Sequence, residues 1–120
     1  MRRADAAINV VVEEAAERIS SAPWSPERPI DLDARAFAVL PGEVALRLLG
    51  RAVDCVGDEG PVELGKLEAL YEALRQAPGR LRRTLAGALV TLDADRLTVE
   101  RAPARRSAAM RQSRKGRFTK

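Results

Sequence analysis

The side chains in this sequence best suited to chemistry are arginines. Arg75, Arg80, Arg82 and Arg83 fall within nine residues, and Arg105 and Arg106 follow further along. A guanidinium presents a planar fork of donors that fits a phosphate bidentately, so such a group points to a bound polyanion and not to bond making. The bland reading of the first four is a solvated loop paired with Glu68 or Glu72. For Arg105 and Arg106 it is a solubilising tail. Other chemistry finds little support. The chain has no His, which removes Ser-His-Asp and Cys-His catalysis and imidazole metal sites. One cysteine cannot build a zinc cluster. Asp31 and Asp33 sit two apart like a carboxylate pair, but no third ligand accompanies them, so Asp33 reads better as a helix cap. No catalytic residue and no metal ligand is therefore assigned. Cys55 lies beside an apolar stripe and is expected to pack in the core. Trp24 is expected to pin a proline-rich linker.

The charge balance supports the polyanion reading and sharpens where it applies. The net charge is +4, from 21 Lys+Arg and 17 Asp+Glu. Residues 1–74 carry 8 basic and 14 acidic side chains, whereas residues 75–120 carry 13 basic and 3 acidic. An acidic front and a basic end make a charge-segregated chain. At 120 residues the chain is long enough for one domain, and 46% hydrophobic content is enough for a core built on aliphatic residues. No apolar run approaches the ~20 residues that span a membrane. No secretory leader follows Met1, and the single cysteine suits a reducing compartment, so a cytoplasmic protein without a membrane partner is expected.

The elements that must carry these arginines follow from periodicity. Ile8, Val11, Val12, Ala15 and Ile19 repeat near 3.6 and predict an amphipathic helix over 4–19. Pro23, Pro26 and Pro29 then mark a linker. Ile30-Asp31-Leu32-Asp33 alternates like a short strand, and Asp33 can cap a helical turn that turns Phe37 and Leu40 inward. Pro41-Gly42-Glu43 opens a helix with its stripe at Val44, Leu48, Leu49, Ala52, Val53 and Val56, stopped by Gly57. A second helix follows Gly60-Pro61, with Leu64, Leu67, Leu70, Tyr71 and Leu74 on its stripe. The short connection makes the two an antiparallel helical hairpin. Arg47 and Arg51, one turn apart on the first of them, are expected to cover the acidic second helix. Thr84 to Leu92 reads as one strand, with Gly87 marking a bulge or a close backbone approach, and Leu97–Glu100 as another, with a turn at 93–96. The fold class is α+β: an amphipathic N-terminal helix and a helical hairpin packed on a small β-hairpin or three-stranded sheet. Residues 1–28 form the linker helix and its proline-rich connection, 29–102 the domain, and 103–120 a basic tail expected to be disordered unless bound.

The order of these signals resembles the substrate-binding region of bacterial tRNA(Ile)-lysidine synthetases. The resemblance rests on Ile30-Asp31-Leu32, on Leu40-Pro41-Gly42-Glu43-Val44 with Arg47 before Leu48-Leu49, on Pro61-Val62-Glu63-Leu64, and on Arg82-Arg83-Thr84-Leu85-Ala86-Gly87-Ala88. Members from α-proteobacteria are especially similar around Arg82 to Ala88. Arg3-Ala4-Asp5-Ala6-Ala7-Ile8 is similar to the helix leaving the family's catalytic domain. The family uses ATP to adenylate the wobble cytidine of an isoleucine tRNA, which lysine then displaces. The resemblance implies tRNA as partner and makes the six arginines RNA-binding candidates. It implies ATP and Mg for the full-length enzyme and no cofactor in this chain. The family's Ser-Gly-Gly-x-Asp-Ser loop does not occur in the 120 residues. The implied object is thus a C-terminal fragment, separated from its catalytic domain and without activity of its own. The alternative from the residues is a helical protein-interaction domain, in which an exposed stripe on the first helix makes a homodimer.

Overall fold

The computed structural model describes residues 2–103. Arg105, Arg106 and the rest of the basic tail, expected to be disordered unless bound, lie outside the described residues. The order is α1 (Arg2–Ile19), β1 (Ile30–Asp33), α2 (Ala34–Ala38), α3 (Gly42–Val56), α4 (Leu64–Gln76), β2 (Arg80–Leu85), β3 (Ala88–Asp93) and β4 (Arg96–Arg101). The strands form one sheet in the order β1-β4-β3-β2, with every pair antiparallel. The α+β class holds. The sheet is one strand larger than the upper bound expected, because the stretch from Thr84 to Leu92 falls in two strands, β2 and β3, while Ile30–Asp33 pairs with β4.

α3 is the centre of the molecule. Val44, Ala45, Leu48, Leu49, Ala52, Val53 and Val56 are all buried, a wider face than a surface helix needs. The width follows from its neighbours, since α1, α4, β3 and β4 all pack against it. A Cβ on Gly50 would stand 2.9 Å from Leu67 Cδ2, and one on Gly42 would stand 3.9 Å from Tyr71 Oη, so α3 and α4 run antiparallel as expected. α4 buries Leu67, Leu70 and Leu74, while Leu64 at its start is left exposed. α1 buries Val12, Ala15 and Ile19, but Val11, expected on the same stripe, is 47% exposed.

Alternation along the strands divides the sheet into two faces. Ile30, Leu32, Ala88, Val90, Leu97 and Val99 turn toward the helices and join the core. Asp31, Thr91, Asp93, Arg96 and Thr98 fall on the opposite face, where the Thr98 hydroxyl donates to Asp31 Oδ1 at 3.1 Å. Asp33 caps α2, its Oδ1 accepting from the backbone N–H groups of Arg35 at 3.0 Å and Ala36 at 3.1 Å. Removing such a cap costs about 1 kcal/mol. Trp24 packs against the core and donates from Nε1 to Ser20 Oγ at 2.8 Å, which pins the linker as expected.

The segment read as one strand from Thr84 to Leu92 is two. Ala86 (φ 53°) and Gly87 (φ 85°) form a two-residue turn between β2 and β3. Positive φ at both central residues matches the right-handed twist of a tight hairpin. Ala-Gly lacks the Asn-Gly signature of that turn, so periodicity alone ran through it. The expected close approach at Gly87 is real. A Cβ there would stand 2.6 Å from the Asp58 nitrogen, and a Cβ on Gly57 would stand 2.8 Å from the Val53 oxygen and press on the Ala86 carbonyl. The loop after α3 and the β2–β3 turn are therefore in backbone contact, and the Glu59 N–H donates to Ala86 O at 3.3 Å.

Gly87→Ala is expected to lower the thermal unfolding midpoint by roughly 5–15 °C, the scale of overpacking in a small domain. Gly79→Ala, also at positive φ (115°) but with nothing within 4 Å, should cost less. Equal midpoints for the two variants would show that the turn does not rest on the 58–59 backbone.

Candidate nucleic-acid interface

The arginines of the interface come from one helix end and one edge strand. Arg75 sits in the last turn of α4, where a cation is favoured by the helix dipole. Its Nη1 donates to Glu72 Oε1 at 3.1 Å, and its guanidinium lies 5.9 Å from the centroid of the Tyr71 ring. The chain then passes through Pro78-Gly79 into β2, the outermost strand. Arg80 pairs with Asp93 across the β2–β3 ladder, Nε to Oδ1 at 3.4 Å. Arg82 stands opposite Thr91, and Arg83 opposite Val90.

A period of two separates what the sequence places side by side. Arg80 and Arg82 belong to the open face of the sheet. Arg83 lies with Leu81 and Leu85 on the helix-facing side, but exposed at the rim because β2 is last in the sheet. The four residues thus line both faces of one edge. The expected pairing of Arg75 with Glu72 is present, and Arg80 has a partner that the sequence did not suggest. The ion pair of Arg80 leaves its side chain 80% exposed. Such pairs contribute roughly 0–1 kcal/mol and exchange readily for another anion. Charged side chains on an edge strand also discourage pairing with a second sheet, so this cationic edge has a structural use as well.

Three further arginines have structural work. Arg51, expected over the second helix, turns to α1 instead: its Nη2 donates to Asn9 Oδ1 at 2.9 Å, and its Nη1 lies 3.7 Å from Glu13 Oε2. Arg47 Nε donates to Glu43 one turn earlier at 2.8 Å. Arg101, counted with the basic end, donates from Nε to the Val56 carbonyl at 3.1 Å and so closes the C-terminus of α3. Its partner lies 45 residues away, and no local signal marks that role. Among the described residues no three His, Cys, Asp or Glu side chains gather as a metal site would require. No helix among them is long and apolar enough to cross a membrane.

Comparison with known proteins gives this edge a context. The chain is 45% identical over 113 residues to the tRNA(Ile)-lysidine synthase of Rhodopseudomonas palustris, covering 87% of this chain and 32% of that protein. The chain is homologous to a segment of the tRNA(Ile)-lysidine synthases. Against the synthase of a Bradyrhizobium species the identity is 46% over 123 residues, with 88% of this chain and 34% of the relative covered. Against that of Bradyrhizobium diazoefficiens it is 42% over 127 residues, with 88% and 35% covered. The chain spans about a third of the length of the synthases it matches. No family model matches it, and no solved structure does.

Cys55 is half-buried against the core on α3, as expected. Burial pushes its thiol pKa up, and the Glu27 carboxylate adds to the rise. Less thiolate is therefore present at any given pH. Alkylation by iodoacetamide near pH ~8 should run slower than that of a free thiol. Glu27→Gln should speed it, since that removes one of the two causes. A native-state rate matching free cysteine would contradict the assigned environment.

Proposed function

We propose that this chain is the tRNA-recognition part of an ATP-dependent tRNA(Ile)-lysidine synthetase, the enzyme that ligates lysine to a wobble cytidine. The observation that carries the reading is the 42–46% identity to synthases over most of the chain. The exposed arginines Arg75, Arg80, Arg82 and Arg83 support it, because they present guanidinium groups on one edge of the fold. They would hold phosphates and set the register of the RNA, while base identity would be read elsewhere. Arg105 and Arg106 would extend the same contact.

The chemistry would belong to a catalytic domain outside these residues. ATP and Mg2+ need a phosphate-cradling loop and oxygen ligands. The sequence has no Ser-Gly-Gly-x-Asp-Ser loop, and the described residues gather no metal-binding set. The donor set here does not fit those groups, so no step of the ligation is assigned to these residues.

A second reading has its own observation. Val10 and Val11 on α1 are 53% and 47% exposed, an apolar patch that a partner or a second copy would cover. In that case the chain is a helical interaction domain with no RNA role.

Titration of the chain with unmodified tRNA at increasing salt separates the two readings. Binding should weaken linearly in log–log form. The Arg82→Ala/Arg83→Ala double variant should make the slope shallower by about 1.4–1.8, the loss of two phosphate contacts. No binding at low salt would count against the RNA reading, and a dimer abolished by Val10→Glu would favour the other.

A further inference from the structure

We propose that the groove between α2, the C-terminal end of α4 and the β3–β4 turn seats one unpaired nucleotide of a bound RNA. Its base would lie on the Tyr71 ring, and its phosphate between Arg35 and Arg75. The inference rests on the RNA-binding reading above and adds the place where a base is held.

The groove encloses about 500 Å3, within the ~300–1,000 Å3 of small-molecule sites. Its apolar lining comes from Phe37, Tyr71, Leu74, Leu92 and Leu97. Phe37 and Tyr71 are two of only four aromatic residues in the chain, and both line this one groove. Phe37 meets Tyr71 edge-to-face, with centroids 6.1 Å apart and planes at 83°. Phe37 is buried, so this contact holds the Tyr71 ring in a fixed attitude. The Arg75 guanidinium 5.9 Å from the ring centroid completes an aromatic–cation pair of the kind on which single bases stack.

Charge selects the occupant. Arg35 on α2 pairs with Asp95 in the β3–β4 turn at 3.3 Å, and both residues line the groove. Their side chains are 83% and 73% exposed, so the pair is weak and a phosphate can take the place of Asp95. Arg75 is held by the exposed Glu72 in the same exchangeable way. A second cavity, about 580 Å3 beside Trp24, is lined by Glu13 and Glu17 against a single Arg51 and would repel a phosphate. A base inside a duplex exposes no free face to a ring, so only an unstacked nucleotide fits the groove.

The test uses the whole chain and two RNAs of equal length, a stem-loop and a blunt duplex, with binding followed by fluorescence anisotropy at low salt. Tyr71→Leu keeps an apolar side chain but removes the ring face. It should weaken stem-loop binding about tenfold and leave duplex binding unchanged, while Tyr71→Phe binds like wild type. A 5-iodouridine in the loop should photo-crosslink to Tyr71, the single tyrosine of the chain. Equal losses for both RNAs, or crosslinks mapping away from the groove while binding persists, would overturn the nucleotide seat and leave the RNA reading standing. Absence of binding to either RNA by the wild-type chain would overturn both. Should Tyr71→Leu fail to fold, the wild-type crosslink map decides.

Discussion

The structure depends on the burial of α3. Its stripe, from Val44 to Val56, contacts α1 on one side, α4 on another and the sheet beneath. Leu48, Leu49, Ala52, Val53 and Val56 have no accessible surface, so each neighbour must conform to this helix. The C-terminus of α3 is fastened from a distance. Arg101 reaches the Val56 carbonyl, and the loop after Gly57 is in backbone contact with the β2–β3 turn. This contact sets where the hairpin stands relative to the helices, and with it the position of β2.

The cationic edge is a consequence of that arrangement. β2 is outermost and is covered on one face by α4. It cannot bury its helix-facing residues fully, and Leu81 and Leu85 are only half-buried. Arg83 can therefore stand between them without stranding a charge in the core. The same α4 ends beside β2 and supplies Arg75 and Tyr71. A helix end, an edge strand and the groove under α2 thus come to lie along one side of the molecule, which is the side where RNA contact is proposed.

The helices were legible in the sequence because each has an apolar stripe of helical period and a terminator next to it. Pro41-Gly42-Glu43 and Gly57 bracket α3 to within a residue, and Asp33 was readable as a cap because its backbone donors lie two and three residues on. The strands were harder to read. Ala86-Gly87 has no strong turn signature, and β2 has arginines where a strand pattern would show apolar residues. The expected strand therefore starts at Thr84, whereas Arg80, Arg82 and Arg83 lie within β2. Val11 and Leu64 fit their stripes by spacing yet are exposed, because spacing carries no information about where a neighbouring element lies.

By itself the sequence determined the element types of the helical half, the segregation of acidic front from basic end, the absence of histidine, and the kinship that its ordered motifs suggest. These are properties of local spacing and composition, and they need no partner to be read. Only the tertiary structure decided that Ile30–Asp33 joins β4, that Arg51 serves α1 and Arg101 serves α3, and that Phe37, Tyr71 and Arg75 meet in one groove. Each of these joins residues far apart in the chain. Their proximity comes from packing around α3 and leaves no periodic trace in the sequence.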